Sequence, residues 1–232
     1  MKKIGIIGAM DEEVSSLKKE MTVTSTITMA SMEFLEGTLL GKEVVIVRSG
    51  IGKVNAAVCA EILAGIFKTD AIINTGIAGS LNAKIDIGDI VISSDVLHHD
   101  MDATGFGYAL GQIPRMDVLS FPADNTLIKT AKEVCEKVNP DIHTHIGRVV
   151  SGDQFISDEQ VKEKIIQNFA GCCTEMEGAA IAQTAYLNHI PFVILRAISD
   201  KADDSATVDY PTFEKKAIEH SIQLVKGMLE KL

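Results

Sequence analysis

The chain has 232 residues, of which 46% are hydrophobic and 23% charged, and its formal net charge is −10. That composition supports one globular domain with a sizeable core and excludes disordered and fibrous classes. The negative charge argues against nucleic acid and anionic membrane as partners and suits a soluble protein that handles small ligands.

In chain order, Lys3–Ala9 reads as a strand buried on both faces, and Asp11–Glu20 as a helix with acids in its first turn. The segments 22–30 and 32–40 read as an antiparallel pair, and Glu43–Arg48 as another buried strand. Ser49–Lys53 then leads into a helix whose apolar stripe is Val54, Val58, Ile62 and Ile66. Ala71–Asn74 is predicted to be a central strand opening into Thr75–Ser80, and Ile90–Ser93 the next strand. Residues 98–119, with Gly105, Gly107, Gly111 and Pro114, read as a long loop of the kind that carries function. A helix near 124–138, a strand near 142–150, a helix after Ile156, the segment Cys172–Met176 and a helix from Glu177 follow. Phe192–Ala197 is the last strong strand, and 211–231 a closing helix with Ile218, Ile222, Val225, Leu229 and Leu232 on one side. No linker, repeat or low-complexity tract interrupts this order, so residues 1–232 are expected to form a single α/β domain, an α/β/α sandwich with a mixed sheet.

The N-terminal segment is basic and then apolar, as in a signal peptide, but the apolar stretch is short and Asp11, Glu12 and Glu13 end it. The four cysteines, Cys59, Cys135, Cys172 and Cys173, form no CxxC pair, which favours a reducing cytoplasm over a disulfide framework. Cys172 and Cys173 have no basic neighbour in sequence and are expected to pack in the core. GIGK at 50–53 is half of a phosphate-binding loop, but Val47 and Val54 stand where glycine and a magnesium-binding hydroxyl belong. His98, His99, Asp100 and Asp102 lack zinc-ligand spacing, so the histidines are expected at surface or supporting positions. His143 and His145 share one strand face, at the solvent or the core edge.

Ligands of such folds bind at the carboxyl ends of strands. Those ends hold Met10–Glu13, Ser49–Lys53, Thr75–Ser80, Glu175–Glu177 and Arg196–Asp200. Any one of these acids has an ordinary reading as a helix cap. Several at separate strand ends point instead to general acid–base work.

At these residues the sequence becomes recognisable. IGIIGAMDEEV (4–14), SGIGKVNAA (49–57), NTGIAGS (74–80), GFGY (105–108), SGDQFI (151–156), EMEGAAIA (175–182) and RAISDKAD (196–203) occur in one order across essentially the whole chain. Together they resemble the bacterial 5′-methylthioadenosine/S-adenosylhomocysteine nucleosidases, within the purine nucleoside phosphorylase superfamily. The resemblance implies a partly barrel-like sheet, a homodimer, and no metal or organic cofactor. It implies N-glycosidic hydrolysis of adenine nucleosides with a 5′-thioether. Asp200 would be the acid that protonates the purine and Glu13 the base that activates water. Glu177 would grip the ribose hydroxyls, its charge favouring the cationic transition state, with Met176 against the sugar. Glu175 belongs to the same block; Arg196 would orient the carboxylates and the water, and Ser199 would position Asp200. Phe155 and Ile156 would line the adenine pocket, with Ala78 and Gly79 near base and ribose. Met10, Ile51, Phe106, Tyr108, Pro114 and Tyr210 would surround the thioether, part of that wall coming from the neighbour's 98–119 loop. Ile77 replaces the usual serine, Ser80 a common glycine and Tyr210 a usual phenylalanine. The alternatives are a phosphorylase, disfavoured by the three acids Asp11, Glu12 and Glu13 where phosphate would bind, and a nucleoside sensor without turnover.

Overall fold

The computed structural model describes residues 1–232. The first half runs β1 (Lys3–Gly8), α1 (Asp11–Glu20), β2 (Thr22–Met29), β3 (Met32–Leu39), β4 (Lys42–Arg48), α2 (Lys53–Gly65), β5 (Ala71–Ser80) and β6 (Ile90–His98). The second half runs β7 (Phe121–Pro122), α3 (Asn125–Val138), β8 (Thr144–Ser151), α4 (Glu159–Phe169), β9 (Cys173–Glu175), α5 (Gly178–Leu187), β10 (Phe192–Asp200) and α6 (Ala206–Lys231). All strands belong to one mixed sheet. Strand β5 pairs with β1, β10 and β9, and β9–β8–β6–β10 return to it, so five strands close into a ring. From β5 the strands β1, β4, β3 and β2 extend as an open arm, and the short β7 edges β6. No helix is long and apolar enough to cross a membrane.

Two apolar cores cover the sheet. One unites strand residues such as Ile7, Val45 and Ile194 with α2 and α5; the other unites Ile6, Ile46 and Leu195 with α1, α3 and α6. The strands are uniformly apolar because both faces are covered. A third, small cluster seats α4 through Ile165 and Phe169.

Several boundaries differ from the sequence reading, each for a physical reason. The buried stripe of α2 is not Val54, Val58 and Ile66, which are exposed, but Ala56, Cys59, Ala60, Leu63 and Ala64. Small side chains let α2 approach the equally alanine-rich α5 closely, and the larger valines and isoleucine are left outside. Thr75–Ser80 is not a loop: β5 continues through it, buried at all ten residues, because its pairing passes from β1 to β10 and β9. Strand β6 likewise runs on to His98, where β8 continues beside it. Helix α6 begins at Ala206, five residues before Pro211. Proline favours a helix's first turn, but here the chain is already helical. Residues 98–119 are irregular apart from the end of β6 and a 3₁₀ turn at Thr104–Phe106.

His98 and His99 are not at the surface. Both are buried, and His98 Nε2 lies 3.0 Å from Gln183 Oε1. His143 and His145 face Asp89, with His145 Nε2 3.0 Å from its carboxylate. Cys173 is fully buried, and burial pushes its thiol well above the usual range, as core packing requires. The four cysteines are free thiols.

Candidate active site

One cavity of about 550 Å³ opens at the carboxyl ends of β1, β5, β9 and β10. Its acids arrive from separate elements, each by a local device. Glu13 is the third residue of α1, and its side chain turns back to the helix start. Its Oε2 accepts from Ala9 N at 2.6 Å and Met10 N at 3.0 Å, and its Oε1 from Ile77 N at 3.2 Å. This is the back-reaching half of a capping box, and it draws the carboxylate inward while Asp11 and Glu12 stay exposed. Burial raises the Glu13 pKa; the Arg196 charge and three backbone amides oppose that rise.

Glu177 stands at the N-cap of α5. Its Oε1 accepts from Gly52 N at 2.7 Å. Gly50 and Gly52 have φ of 84° and 94°, the left-handed region in which glycine is at ease, so the SGIGK loop points an amide at a carboxylate rather than at a phosphate. Burial, then the charge of Glu175, pushes Glu177 up to about 8.

Asp200 ends β10, where the pairing to β5 shifts between Ile198 and Asp200. Such irregularities re-aim side chains. Its Oδ1 accepts from Ala202 N at 2.8 Å, and Ser199 Oγ donates to its Oδ2 at 2.9 Å. Burial raises its pKa, and Asp209 and Asp203 push the same way against those two hydrogen bonds.

Beneath them lies a buried ion pair. Arg196 and Glu175 are both sequestered; the guanidinium reaches Glu175 through Nε at 3.2 Å and through Nη2, and also bonds Asn74 Oδ1 and Leu195 O. Glu175 further accepts from Ser151 Oγ, Glu177 N and Gly178 N. Burial would raise Glu175; Arg196, Ser151 and the Gly178 amide outweigh it and hold the carboxyl below the usual range. Both Glu175 oxygens are thus engaged by protein, which makes this residue a support for its neighbours. Removing one member of such a buried pair costs about 3–5 kcal/mol.

The apolar wall is Met10, Ile51, Ile77, Phe155, Met176 and Tyr210, with Ala78 and Gly79 on the floor. Phe155 meets Tyr210 edge-on at 5.9 Å. Tyr210 Oη donates to Glu214 at 3.1 Å and lies 3.4 Å from Met10 Sδ. Ile156 borders a side chamber of about 30 Å³ shared with Gln154, Thr174 and Asp200. Arg196 lies behind the lining, and Phe106, Tyr108 and Pro114 do not line this chain's own cavity. Thr174, Thr207 and Pro211 do line it and escaped the sequence reading, as did Asn74 and Ser151, which hold Arg196 and Glu175. Asn74 had a signal, being the lone polar residue at the end of the apolar run AIIN.

The acids against phosphate also need redistribution. Asp11 pairs with Arg48 at the surface, so of the three consecutive acids only Glu13 reaches the cavity. The lining nevertheless contains no lysine or arginine, and Arg196 is committed to Glu175 and Asn74. A phosphate dianion would meet Glu13, Glu175 and Glu177 with no free cation.

Fold and cavity together define an α/β protein with a largely apolar cavity, edged by carboxyl groups, at its strand ends. The phosphorylase superfamily model matches residues 3–230. The chain is 45% identical over 230 residues to a 5′-methylthioadenosine/S-adenosylhomocysteine nucleosidase of Staphylococcus aureus, covering 99% of this chain and all of that one. Among solved structures, the nucleosidase of that name from Neisseria meningitidis in complex with methylthio-immucillin-A superposes with a TM-score of 0.96 at 38% identity, covering 100% of both chains. The one from Colwellia psychrerythraea in complex with adenine gives 0.95 at 40%, covering 100% of this chain and 96% of that one. The chain belongs to the phosphorylase superfamily and, within it, to the 5′-methylthioadenosine/S-adenosylhomocysteine nucleosidases.

Proposed function

We propose that this protein hydrolyses the N-glycosidic bond of 5′-methylthioadenosine and S-adenosylhomocysteine, releasing adenine and the thioribose. The observation that carries the reading is the cavity itself. It holds four carboxyl groups, Glu13, Glu175, Glu177 and Asp200, against an apolar wall, and no lysine or arginine lines it. Breaking the bond leaves positive charge on the ribose and negative charge on the purine, so the reaction needs a proton for the base and an activated water for the sugar.

Asp200 is the acid. Its raised pKa keeps the proton available, and Ser199 holds the carboxyl in place. As the C1′–N9 bond breaks, that proton passes to purine N7. Glu13 is the base: burial raises its affinity for a proton, and it takes one from the water that adds to C1′. Glu177 meets the ribose hydroxyls. The positive charge growing on the sugar draws its pKa back down and makes its carboxylate favourable in the transition state. Phe155 stacks on the base, and Met10, Ile51 and Tyr210 enclose the thioether.

The active form is a homodimer in which the 98–119 segment, with Phe106, Tyr108 and Pro114, completes the neighbour's thioether pocket. In support, Phe106 is 86% exposed and does not line this chain's own cavity, and Val54, Val58 and Ile66 are exposed together along α2 and its C-terminal end. The free cysteines suit a cytoplasmic protein.

The test is adenine release from methylthioadenosine with and without phosphate, beside Asp200→Asn. Phosphate-independent adenine and free methylthioribose are expected, with the variant slower by ~10²-fold or more, the scale of a lost general acid. Strict phosphate dependence would make the enzyme a phosphorylase. Tight binding without turnover would make it a sensor.

A further inference from the structure

Helix α2 starts without a cap of its own. Its N-cap is Gly52, which has no side chain to accept the first-turn amides. Another loop supplies the acceptor: Lys53 N donates to Asp153 Oδ1 at 2.8 Å. Asp100 closes this cap into a clasp. Its Oδ1 accepts from Lys53 Nζ at 2.6 Å and its Oδ2 from Asp153 N at 3.0 Å, so one carboxylate holds both members. The Lys53 and Asp100 side chains are mostly buried, 21% and 22% exposed, which protects the pair from screening. Burial would raise the Asp100 pKa; Lys53 and the Asp153 amide outweigh it and hold the carboxyl below its usual range.

The clasp lies directly behind a group that lines the cavity. Gly52 N donates to Glu177 Oε1, the one hydrogen bond that this carboxyl makes to the protein, so the amide sets the direction of the other oxygen. Two glycines leave the SGIGK turn free to change shape, and it must be restrained from outside. Its first half is held by Gly50 N on Ala9 O and by Asn55 Nδ2 on Ile51 O. Its second half, at Gly52 and Lys53, is held by Asp153, whose Oδ1 would lie 3.2 Å from a Cβ on Gly52. Asp100 thereby joins three segments around the cavity: the SGIGK turn, the 151–156 loop that carries Phe155, and the start of 98–119.

On the proposed reading, on which this inference rests, Glu177 meets the ribose hydroxyls. We propose that Asp100 is a positioning residue for that contact: through Lys53 and Asp153 it fixes the turn whose Gly52 amide aims the Glu177 carboxyl at the ribose. Asp100 touches no substrate. Its loss frees the Gly52 amide, and Glu177 then swings without the one bond that orients it, while the purine end of the cavity keeps its own contacts.

The test pairs Asp100→Asn with removal of a ribose hydroxyl from the substrate. Asparagine keeps the shape but must turn an N–H towards either Lys53 Nζ or Asp153 N, both donors, so it breaks one arm of the clasp. Wild type should prefer methylthioadenosine to its 3′-deoxy analogue in kcat/KM by about 10-fold, a preference that falls below about 3-fold in Asp100→Asn. Adenine has no ribose, and its dissociation constant should stay unchanged. Lys53→Met, which removes the same ion pair from the other side, should behave likewise and serves if Asp100→Asn does not fold. Hydrogen exchange of the Gly52 amide, followed by NMR, should quicken by about 10-fold in either variant. An equal ribose preference in wild type and variants, or adenine affinity lost in the same proportion as turnover, would overturn the proposal. Wild-type turnover with both readouts unmoved sinks the inference alone. Adenine binding without wild-type turnover sinks the nucleosidase reading, and the Gly52 exchange then still decides whether the clasp holds that amide.

Discussion

Glu177 shows how much of this site is decided by single residues. A carboxyl in the unfolded chain releases its proton near 4.5, whereas in the fold Glu177 holds its proton up to about 8. Between those values the folded state binds a proton that the unfolded state has lost, so stability falls as pH rises through the window and levels above it. Glu177→Gln removes that titration. Its melting temperature should gain on wild type progressively from about pH 5 to pH 8, by roughly 5 °C or more, since a pKa unit is about 1.4 kcal/mol and each kcal/mol about 2–4 °C at this size. Activity should fall in the same variant. Scanning calorimetry across pH checks this, and a constant offset would mean that the titration belongs to another group. Burial shifts Asp200 the same way. If Asp200 is the acid, as proposed, turnover should decline as pH rises through its raised pKa. The resemblance puts serine where this chain has Ile77, yet the amide of Ile77 donates to Glu13. The link to Glu13 runs through the main chain, so the side chain is free to be apolar wall.

At the scale of elements, β5 does the most. Its ten buried residues join the open arm to the closed ring and pass behind Glu13, Arg196 and Asp200. Gly76 is the tight point: a Cβ there would lie 2.7 Å from Glu13 Oε1 and 3.2 Å from Arg196 Nη1. Gly76→Ala should leave a folded protein, because φ at this position is not in the left-handed region, but it must push Glu13, the proposed base, aside. Turnover should drop by about 10²-fold, the scale of a mispositioned catalytic group, with adenine affinity nearly unchanged. Wild-type kcat in this variant would mean that Glu13 has slack. Strand β5 is also where the sequence reading erred. Gly76 and Gly79 punctuate the second half like a loop, and only pairing with β10 and β9 makes it strand. Helix α1, by contrast, was legible to the residue, because its acids, its apolar Val14 and Leu17 and its caps are all local.

For the whole molecule, the open question is the partner. Helix α2 turns Val54, Val58 and Ile66 outward, and Leu187 on α5 is exposed as well. A dimer should appear in light scattering at about 50 kDa, twice the chain's 25.0 kDa. Val54→Glu should shift it towards monomer and lower activity by about 10-fold or more, because each pocket would lose the neighbour's 98–119 segment. A monomeric wild type with full activity would contradict the shared pocket.

The sequence by itself determined the alternation of strands and helices, the apolar strand bodies and the polar strand ends. These follow from short-range periodicity and from which residues a buried strand tolerates. The ordered motifs likewise pointed to the family and to Glu13, Glu177 and Asp200. Tertiary structure decided which five strands close into the barrel-like ring that the resemblance implied, that α2 buries its alanines rather than its valines, and that His98 and His99 go inside. It also separated Glu13 from Asp11 and Glu12, committed Glu175 to Arg196, and set Thr174 beside Gly79 with its hydroxyl unpaired. Each of these depends on contacts between residues far apart in the chain, and no local pattern carries information about a neighbour that arrives from a hundred residues away.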